Sequence, residues 1–335
     1  MEIGKKMRLL RSLAINKIQP SAPFIRVLPT DYCNLGCFYC WQHNADKHQM
    51  SPELFERCLV NARKLDVGIV SFLGGEPTLW PYLLSALESC AHHHICTDLT
   101  TNGSRLDSDF LESLALAGLD LLNISVDGLH ETKRSRKCSL ANPDLLGAAR
   151  EIMRRTGMKV RMNAVICKDN WPLVEELLEV SRENRIAISL GFVVCRSASE
   201  FNPEVHFGPG DLDQIRVITS RIFEAKRMGV KVIDPDAYFQ GYARFLARER
   251  FWLCNYATRR GWFNIDPYGF IRDCTKKFGR LNYEFSKLKR AQIPEVRALL
   301  AAGVEKCNRD CYSNCAFDGA YFAKHKFQFL MSGIT

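Results

Sequence analysis

Apolar and polar positions fall into a repeating pattern from residue 24 onward. Short β-prone apolar runs predict strands over 24–28, 67–73, 95–100, 119–126, 159–166 and 186–194. Segments of helical periodicity separate them, beginning at Ser51 and covering 79–90, 107–117, 143–156 and 171–184. Ser51 followed by Pro52, with apolar Leu54, Phe55, Cys58 and Leu59, is a helix start signal. The strands read as nearly continuous apolar runs, which predicts an α/β fold whose parallel sheet is covered by helices. Six units are too few for a closed eight-unit barrel, so a partial (β/α)6 TIM-like barrel is expected.

Beyond residue 200 the rhythm changes. Gly208-Pro209-Gly210 interrupts the chain, a helix is predicted over 212–228, and a second runs from the Asp234-Pro235-Asp236 turn to about 250. Residues 264–271 alternate around Asp266-Pro267-Tyr268-Gly269, a hairpin signal. Ahead of the first strand, residues 5–18 predict a basic amphipathic helix with Met7, Leu10, Leu13 and Ile18 inward, docked on the body of the protein. The expected organisation is an N-terminal extension (1–21), a partial barrel (22–205), a helical linker (206–252) and a small C-terminal domain (253–335).

Hydrophobic content of 47% and charged content of 25% over 335 residues allow a sizeable core. The net charge of +9 favours anionic partners, whether phosphorylated or carboxylated ligands, nucleic acid or a membrane surface, without choosing among them; a small-molecule substrate is the expected partner. Arg244, Arg248, Arg250, Arg259 and Arg260 mixed with Trp252, Tyr256 and Trp262 resemble a nucleic-acid surface in composition. Surface charge with one substrate contact is the simpler reading. No apolar run reaches the roughly 18–20 residues of a membrane span, and the first twenty residues carry no uninterrupted signal-peptide core. A cytoplasmic setting is therefore expected, where fourteen cysteines mean metal binding or catalysis rather than disulfides.

Candidate chemistry concentrates after the strands. Cys33, Cys37 and Cys40 lie at C-x3-C-x2-C spacing directly behind the first strand. Three thiolates suit an iron–sulfur cluster with one iron left open. A zinc knuckle closed by His43, or three buried thiols, are the alternatives. Gly74-Gly75-Glu76-Pro77 follows the second strand.

These two motifs, in this order on a six-fold βα repeat, resemble the radical S-adenosylmethionine (SAM) superfamily over roughly residues 22–195. The resemblance implies a [4Fe–4S] cluster on Cys33, Cys37 and Cys40, with SAM on the fourth iron. Reductive cleavage would then give a 5′-deoxyadenosyl radical that abstracts hydrogen from a substrate. It further implies that Tyr39 lies against the adenine and that Gly74, Gly75 and Glu76 meet the SAM amino group. Ser125 and Asn102 would contact the methionyl or ribose part, and Gly191 and Phe192 would bracket the adenine. Arg161, Arg134 and Arg136 are candidates for the SAM carboxylate. A flavodoxin- or ferredoxin-type reductant is implied as a partner.

Cys254, Cys274, Cys307, Cys311 and Cys315 resemble the ligands of SPASM or Twitch auxiliary-cluster domains. Five thiols imply one auxiliary [4Fe–4S] cluster, on Cys254, Cys274, Cys311 and Cys315 with Cys307 competing. A structural zinc is the alternative. Of the remaining thiols, Cys138 and Cys195 lie near strand ends and are candidate hydrogen donors, while the others suit the core. The expected function is hydrogen abstraction from a small polar metabolite (a sugar, aminocyclitol or nucleotide), leading to oxidation, epimerisation or deoxygenation. Modification of a ribosomally made peptide is the alternative within the family; about twenty residues before the first strand leave no room for a peptide-recognition domain. An iron–sulfur electron carrier or sensor is the alternative outside it, and Gly74-Gly75-Glu76-Pro77 speaks against it.

Overall fold

The computed structural model describes residues 2–40, 47–132, 134–195, 201–249, 251, 262–273, 279–305, 311–314 and 317. Six βα units follow an N-terminal helix α1 (Ile3–Ile18). The strands are β1 (Phe24–Val27), β2 (Ile69–Phe72), β3 (Cys96–Thr101), β4 (Leu121–Ser125), β5 (Lys159–Ile166) and β6 (Ala187–Phe192). Between and after them run α2 (Pro52–Lys64), α3 (Leu83–His92), α4 (Ser108–Leu116), α5 (Pro143–Thr156) and α6 (Val174–Asn184). The second part holds α7 (Leu212–Arg227), α8 (Asp236–Leu246), the short strands β7 (Phe263–Ile265), β8 (Phe270–Arg272) and β9 (Arg280–Glu284), and α9 (Ile293–Glu305).

Local chemistry accounts for the helix starts. The Ser51 hydroxyl accepts the Leu54 amide at 3.2 Å ahead of Pro52, and Asp107 and Asn142 cap α4 and α5 in the same way. Inward residues of α2 recur at helical spacing. Phe55 lies 5.8 Å from the Phe72 ring and 5.7 Å from Trp80, joining helix to sheet.

Among the described residues nine strands form one sheet in the order β6-β5-β4-β3-β2-β1-β7-β8-β9. Strands β1 to β6 pair in parallel in strictly sequential order. Right-handed crossovers with no reversal of order put the connecting helices α2 to α6 on the same side of the sheet, so the other side is a concave face. This corrects the expectation of nearly continuous apolar strands. In β5, Val160, Met162, Ala164 and Ile166 are buried while Arg161, Asn163 and Val165 alternate with them, half-buried. The same alternation sets Ser71 against Val70 and Phe72, and Asp98 and Thr100 against Leu99. The helix-facing set builds the core; the alternate set, which faces the concave side, is largely polar, with Ile69 and Val165 as exceptions.

The predicted hairpin exists as β7 and β8, with Gly269 at φ +84° in the turn. It extends the barrel sheet: β7 pairs in parallel with β1, and the Leu28 amide donates to the Ile265 carbonyl at 2.8 Å.

Helix α1 does dock on the body, but through a different face from the one its apolar pattern suggested. Lys5, Leu9 and Ser12 are buried, whereas Met7, Leu10 and Ile18 are exposed. Polar anchoring decides the orientation. Lys5 Nζ donates to Asp120 Oδ2 and to the Gly118 carbonyl, each at 2.7 Å, and the Ser12 hydroxyl donates to the Asp66 carbonyl at 2.5 Å. Among the described residues no helix is long and apolar enough to cross a membrane.

Removing one partner of a buried ion pair costs about 3–5 kcal/mol. Lys5→Ala is expected to lower unfolding stability by an amount in that range, since its side chain is only 3% exposed and Asp120 16%. Exposed Lys6→Ala should change it by no more than about 0.5 kcal/mol. Urea unfolding of the two variants checks this, and equal stabilities would show that α1 contributes nothing through the pair.

Candidate active site

The carboxyl ends of β1 to β4 converge on the Cys33–Cys40 loop, and Gly74-Gly75-Glu76 fixes it from below. The Gly75 amide donates to the Thr30 carbonyl at 2.9 Å and the Glu76 amide to the Tyr32 carbonyl at 2.8 Å. Gly74 adopts φ +137°, where a Cβ would lie 2.5 Å from the Thr30 oxygen; on Gly75 it would lie 2.0 Å from the Tyr32 oxygen. The glycines are thus demanded by the approach of two backbones just before the first cysteine. Glu76, 1% exposed, accepts from the Thr78 amide (3.0 Å), the Thr78 hydroxyl (2.6 Å), the Thr101 hydroxyl (2.6 Å) and the Asn102 amide (2.7 Å). These four hydrogen bonds, three on Oε1 and one on Oε2, tie the end of β2 to the end of β3.

Asn102 carries that link to the thiols. Its amide nitrogen donates to Asn34 Oδ1 at 2.9 Å and approaches Cys33 Sγ at 3.6 Å. Burial pushes the Cys33 thiol pKa up, opposed by donation from the Leu35 amide and from Asn102.

On the far side, Asp127 after β4 is a second hub. It is 1% exposed and accepts from the Tyr39 hydroxyl, the Ser135 hydroxyl (2.6 Å) and the Val165 amide (3.0 Å). Burial and the Asp127 charge hold the Tyr39 phenol well above its ordinary pKa, so it stays a donor. Ser135 Oγ also lies 3.7 Å from Cys37 Sγ. Lys137, half-buried, places its ammonium 5.1 Å from the Tyr39 ring centre. Burial alone would depress the Lys137 pKa; Asp127 and the thiols of Cys37, Cys40 and Cys33 outweigh it and raise it. This cation was missed in the sequence because a lysine in a basic loop looks like surface charge. Arg134 sits over the Phe38 ring at 5.1 Å and pairs with Glu204 at 2.5 Å. Arg136 is solvent-exposed beside Glu131.

The other expected residues lie as follows. Ser125 ends β4, 7% exposed, in register with Asn163. Gly191 faces Asn314, whose amide would lie 2.9 Å from a Cβ placed there. The Phe192 ring points to the helix side and stacks on Tyr242 at 3.8 Å, so only its backbone is left to border a ligand. Arg161 is third of eight residues in β5, roughly 16 Å before the strand's carboxyl end at about 3.3 Å per residue. That places it deep in the barrel rather than at the thiol loop. Cys138 is half-exposed near the start of the helical turn before α5, its thiol pKa raised by burial and then by Glu131. Cys195 lies just beyond β6, half-buried. Cys311 precedes Tyr312, a buried ring stacked on Tyr238 at 5.1 Å. Cys254, Cys274, Cys307 and Cys315 lie outside the described residues, as does His43.

The donor set fits a cluster. Three thiols share one loop beside the Lys137 ammonium. A cluster takes one thiol per iron. Cys33, Cys37 and Cys40 would hold it, and the face below them would hold what it acts upon.

Gly75→Ala is expected to cost about 1–3 kcal/mol through overpacking and to reduce iron bound on anaerobic reconstitution. Gly36→Ala, with nothing within 4 Å of the new Cβ, should leave both unchanged. Unfolding curves and iron analysis check the pair; equal iron content would detach Gly75 from the thiol loop.

Residues 27–189 match the radical SAM superfamily. A probable GTP 3′,8-cyclase of Thermococcus kodakarensis is 36% identical over 108 residues, which is 31% of this chain and 35% of that protein. The PqqA peptide cyclase of Gluconobacter oxydans is 30% identical over 160 residues, 46% of this chain and 44% of the other. The chain thus spans between about a third and a half of the length of these relatives. Streptococcus suis SuiB bound to S-adenosylmethionine shares the fold at TM-score 0.62 and 20% identity, covering 87% of this chain and 71% of SuiB; SuiB has also been solved with its precursor peptide SuiA. With its thiol loop at the carboxyl ends of a six-stranded partial barrel, the chain belongs to the radical SAM superfamily, an enzyme family that binds a [4Fe–4S] cluster and SAM.

Proposed function

We propose that the chain abstracts hydrogen from a small polar metabolite held against the concave face of the barrel. The supporting observation is the position of Cys33, Cys37 and Cys40 at the mouth of a hollow whose strand side chains are polar at alternate positions. When bound, the cluster and SAM supply reductive cleavage of SAM to a 5′-deoxyadenosyl radical. The chain's own share is placement. Glu76 and Asn102 hold the Cys33 side of the loop, Asp127 and Ser135 hold the Cys37 side, and Gly74 and Gly75 keep room beside them. Lys137 and Arg134 are the cations near enough to meet the SAM carboxylate, in place of Arg161. Tyr39, Ser125 and the backbone at Gly191 border the space for the nucleoside. A flavodoxin- or ferredoxin-type protein in the cytoplasm would be the electron donor.

The C-terminal thiols would hold one auxiliary cluster; the packing of Tyr312, next to Cys311, against Tyr238 and Phe245 supports this reading. Such a cluster could accept an electron from a substrate radical, which favours dehydrogenation. Peptide modification is the second reading, supported by the likeness to PqqA peptide cyclase.

Anaerobically reconstituted protein given SAM and dithionite is expected to release 5′-deoxyadenosine, and Cys37→Ala to release none. No 5′-deoxyadenosine from the parent protein would end the enzyme reading. Iron should number about eight per chain for two clusters, falling to about four in Cys254→Ala. Four in both would remove the auxiliary cluster. Deuterium passing into 5′-deoxyadenosine from a labelled metabolite, and not from a labelled peptide, separates the two substrate readings.

A further inference from the structure

Two rows of side chains cross the concave face. Register aligns Arg26 of β1 with Ser71 of β2 and Asp98 of β3, and one row further up it aligns Thr100 with Asn123 of β4 and Arg161 of β5. All of these occupy the strand positions that alternate with the helix-facing ones, so their side chains share the hollow. Asp98 takes one hydrogen bond, from the Ser71 hydroxyl at 2.5 Å. Arg161 spends one donor, Nε, on Asn123 Oδ1 at 2.5 Å. Arg26 lies flat on the Trp262 ring at 3.6 Å, which orients the guanidinium without using its hydrogen-bond donors.

Both guanidiniums act electrostatically on the Asp98 carboxylate, yet among the described residues neither forms an ion pair with it within 4.0 Å. Burial pushes the Asp98 pKa up against the Ser71 hydroxyl and the two cations. The nearby carboxylate Asp234 is different. It is fully buried and already takes the Leu190 amide (2.6 Å), the Ser189 hydroxyl (3.1 Å) and the Asn314 amide (3.2 Å).

Half-buried opposite charges that approach without meeting are costly, because they forgo solvation and gain only part of the Coulombic return. A structural network would have closed the gap, as Lys5 and Asp120 do elsewhere in this chain. An open gap between two cations and a carboxylate suits a ligand that carries the complementary charges itself.

We propose that Arg26, Asp98 and Arg161 are the substrate-recognition residues, and that the substrate is a small zwitterion whose oxyanion meets the two guanidiniums and whose amine donates to Asp98. This rests on the placement of the substrate in the barrel proposed above and adds its chemical class. Forked N–H donors on both arginines match a carboxylate or a phosphate. The amine explains why a carboxylate is kept in a hollow that also binds an anion.

Two probe pairs test this in the reconstituted protein with SAM, read by calorimetry without turnover: phosphoethanolamine against ethyl phosphate, and β-alanine against propionate. Within the pair that binds, the amine-bearing member is expected to bind about ten-fold tighter or more, the scale of one hydrogen bond to a charged group. Arg26→Gln and Arg161→Gln should each weaken both members about ten-fold, while Arg161→Lys restores part of the loss. Asp98→Asn should erase the preference for the amine and leave the simple anion bound as well or better. Arg154→Gln, on the exposed face of α5, is the control. Binding by neither pair overturns the proposal, as does an amine preference that survives Asp98→Asn. Circular dichroism identifies any variant that fails to fold, and Arg161→Lys then carries the test. The titration needs no SAM cleavage, so a parent protein that releases no 5′-deoxyadenosine would sink the functional reading alone.

Discussion

The mouth of the barrel depends on two buried carboxylates, each used as a multidentate acceptor between loops that are distant in sequence. Glu76 gathers donors from residues 78, 101 and 102, and Asp127 gathers them from residues 39, 135 and 165. A carboxylate withdrawn from water is tolerable only when its lone pairs are answered, and hydrogen bonds to a charged group are worth more than neutral ones. Both sides of the thiol loop are therefore braced by buried carboxylates. Glu76 takes three of its donors on Oε1 and one on Oε2.

Other groups stand beside that scaffold. The thiols stand at the top and Lys137 stands beside them. Arg26, Asp98 and Arg161 lie further down with donors or acceptors still free. The contrast between closed networks at the rim and an open one in the hollow is the main electrostatic feature of the barrel. It follows from strand geometry, because a sequentially ordered parallel sheet offers its helices only alternate side chains and must do something with the others.

Much of this was legible in the sequence, and what was not has identifiable causes. The six strands, the caps at Ser51 and Asp107, the thiol loop and the Gly74-Gly75-Glu76 turn could all be read from local pattern. The polar row could not be seen while the strands were taken as uniform apolar runs. Asn123 and Ser125 in β4, and Arg161 and Asn163 in β5, did carry the period-two signal. Helix α1 misled because its apolar stripe pointed one way and a single buried lysine the other, and the ion pair with Asp120 won. The hydrogen bonds by which Glu76 and Asn102 also brace the loop were not legible, since sequence proximity to a motif does not say which atoms pair with which.

The link between the two ends of the chain is physical as well as functional. Arg272 of β8 forms a fork-to-fork pair with Asp31, two residues before Cys33, and is only 7% exposed. Asp31 belongs to the same backbone stretch that Gly74 and Gly75 admit so closely. The strand leading to Cys274 is thus bonded to the segment leading into the first thiol loop, through a planar bidentate contact that lysine could not reproduce. Asn314, one residue before Cys315, reaches Ser189 and Asp234 at the other edge of the sheet. The described residues of the C-terminal part are therefore tied to the barrel at two places, Arg272 to Asp31 just after β1 and Asn314 to Ser189 of β6.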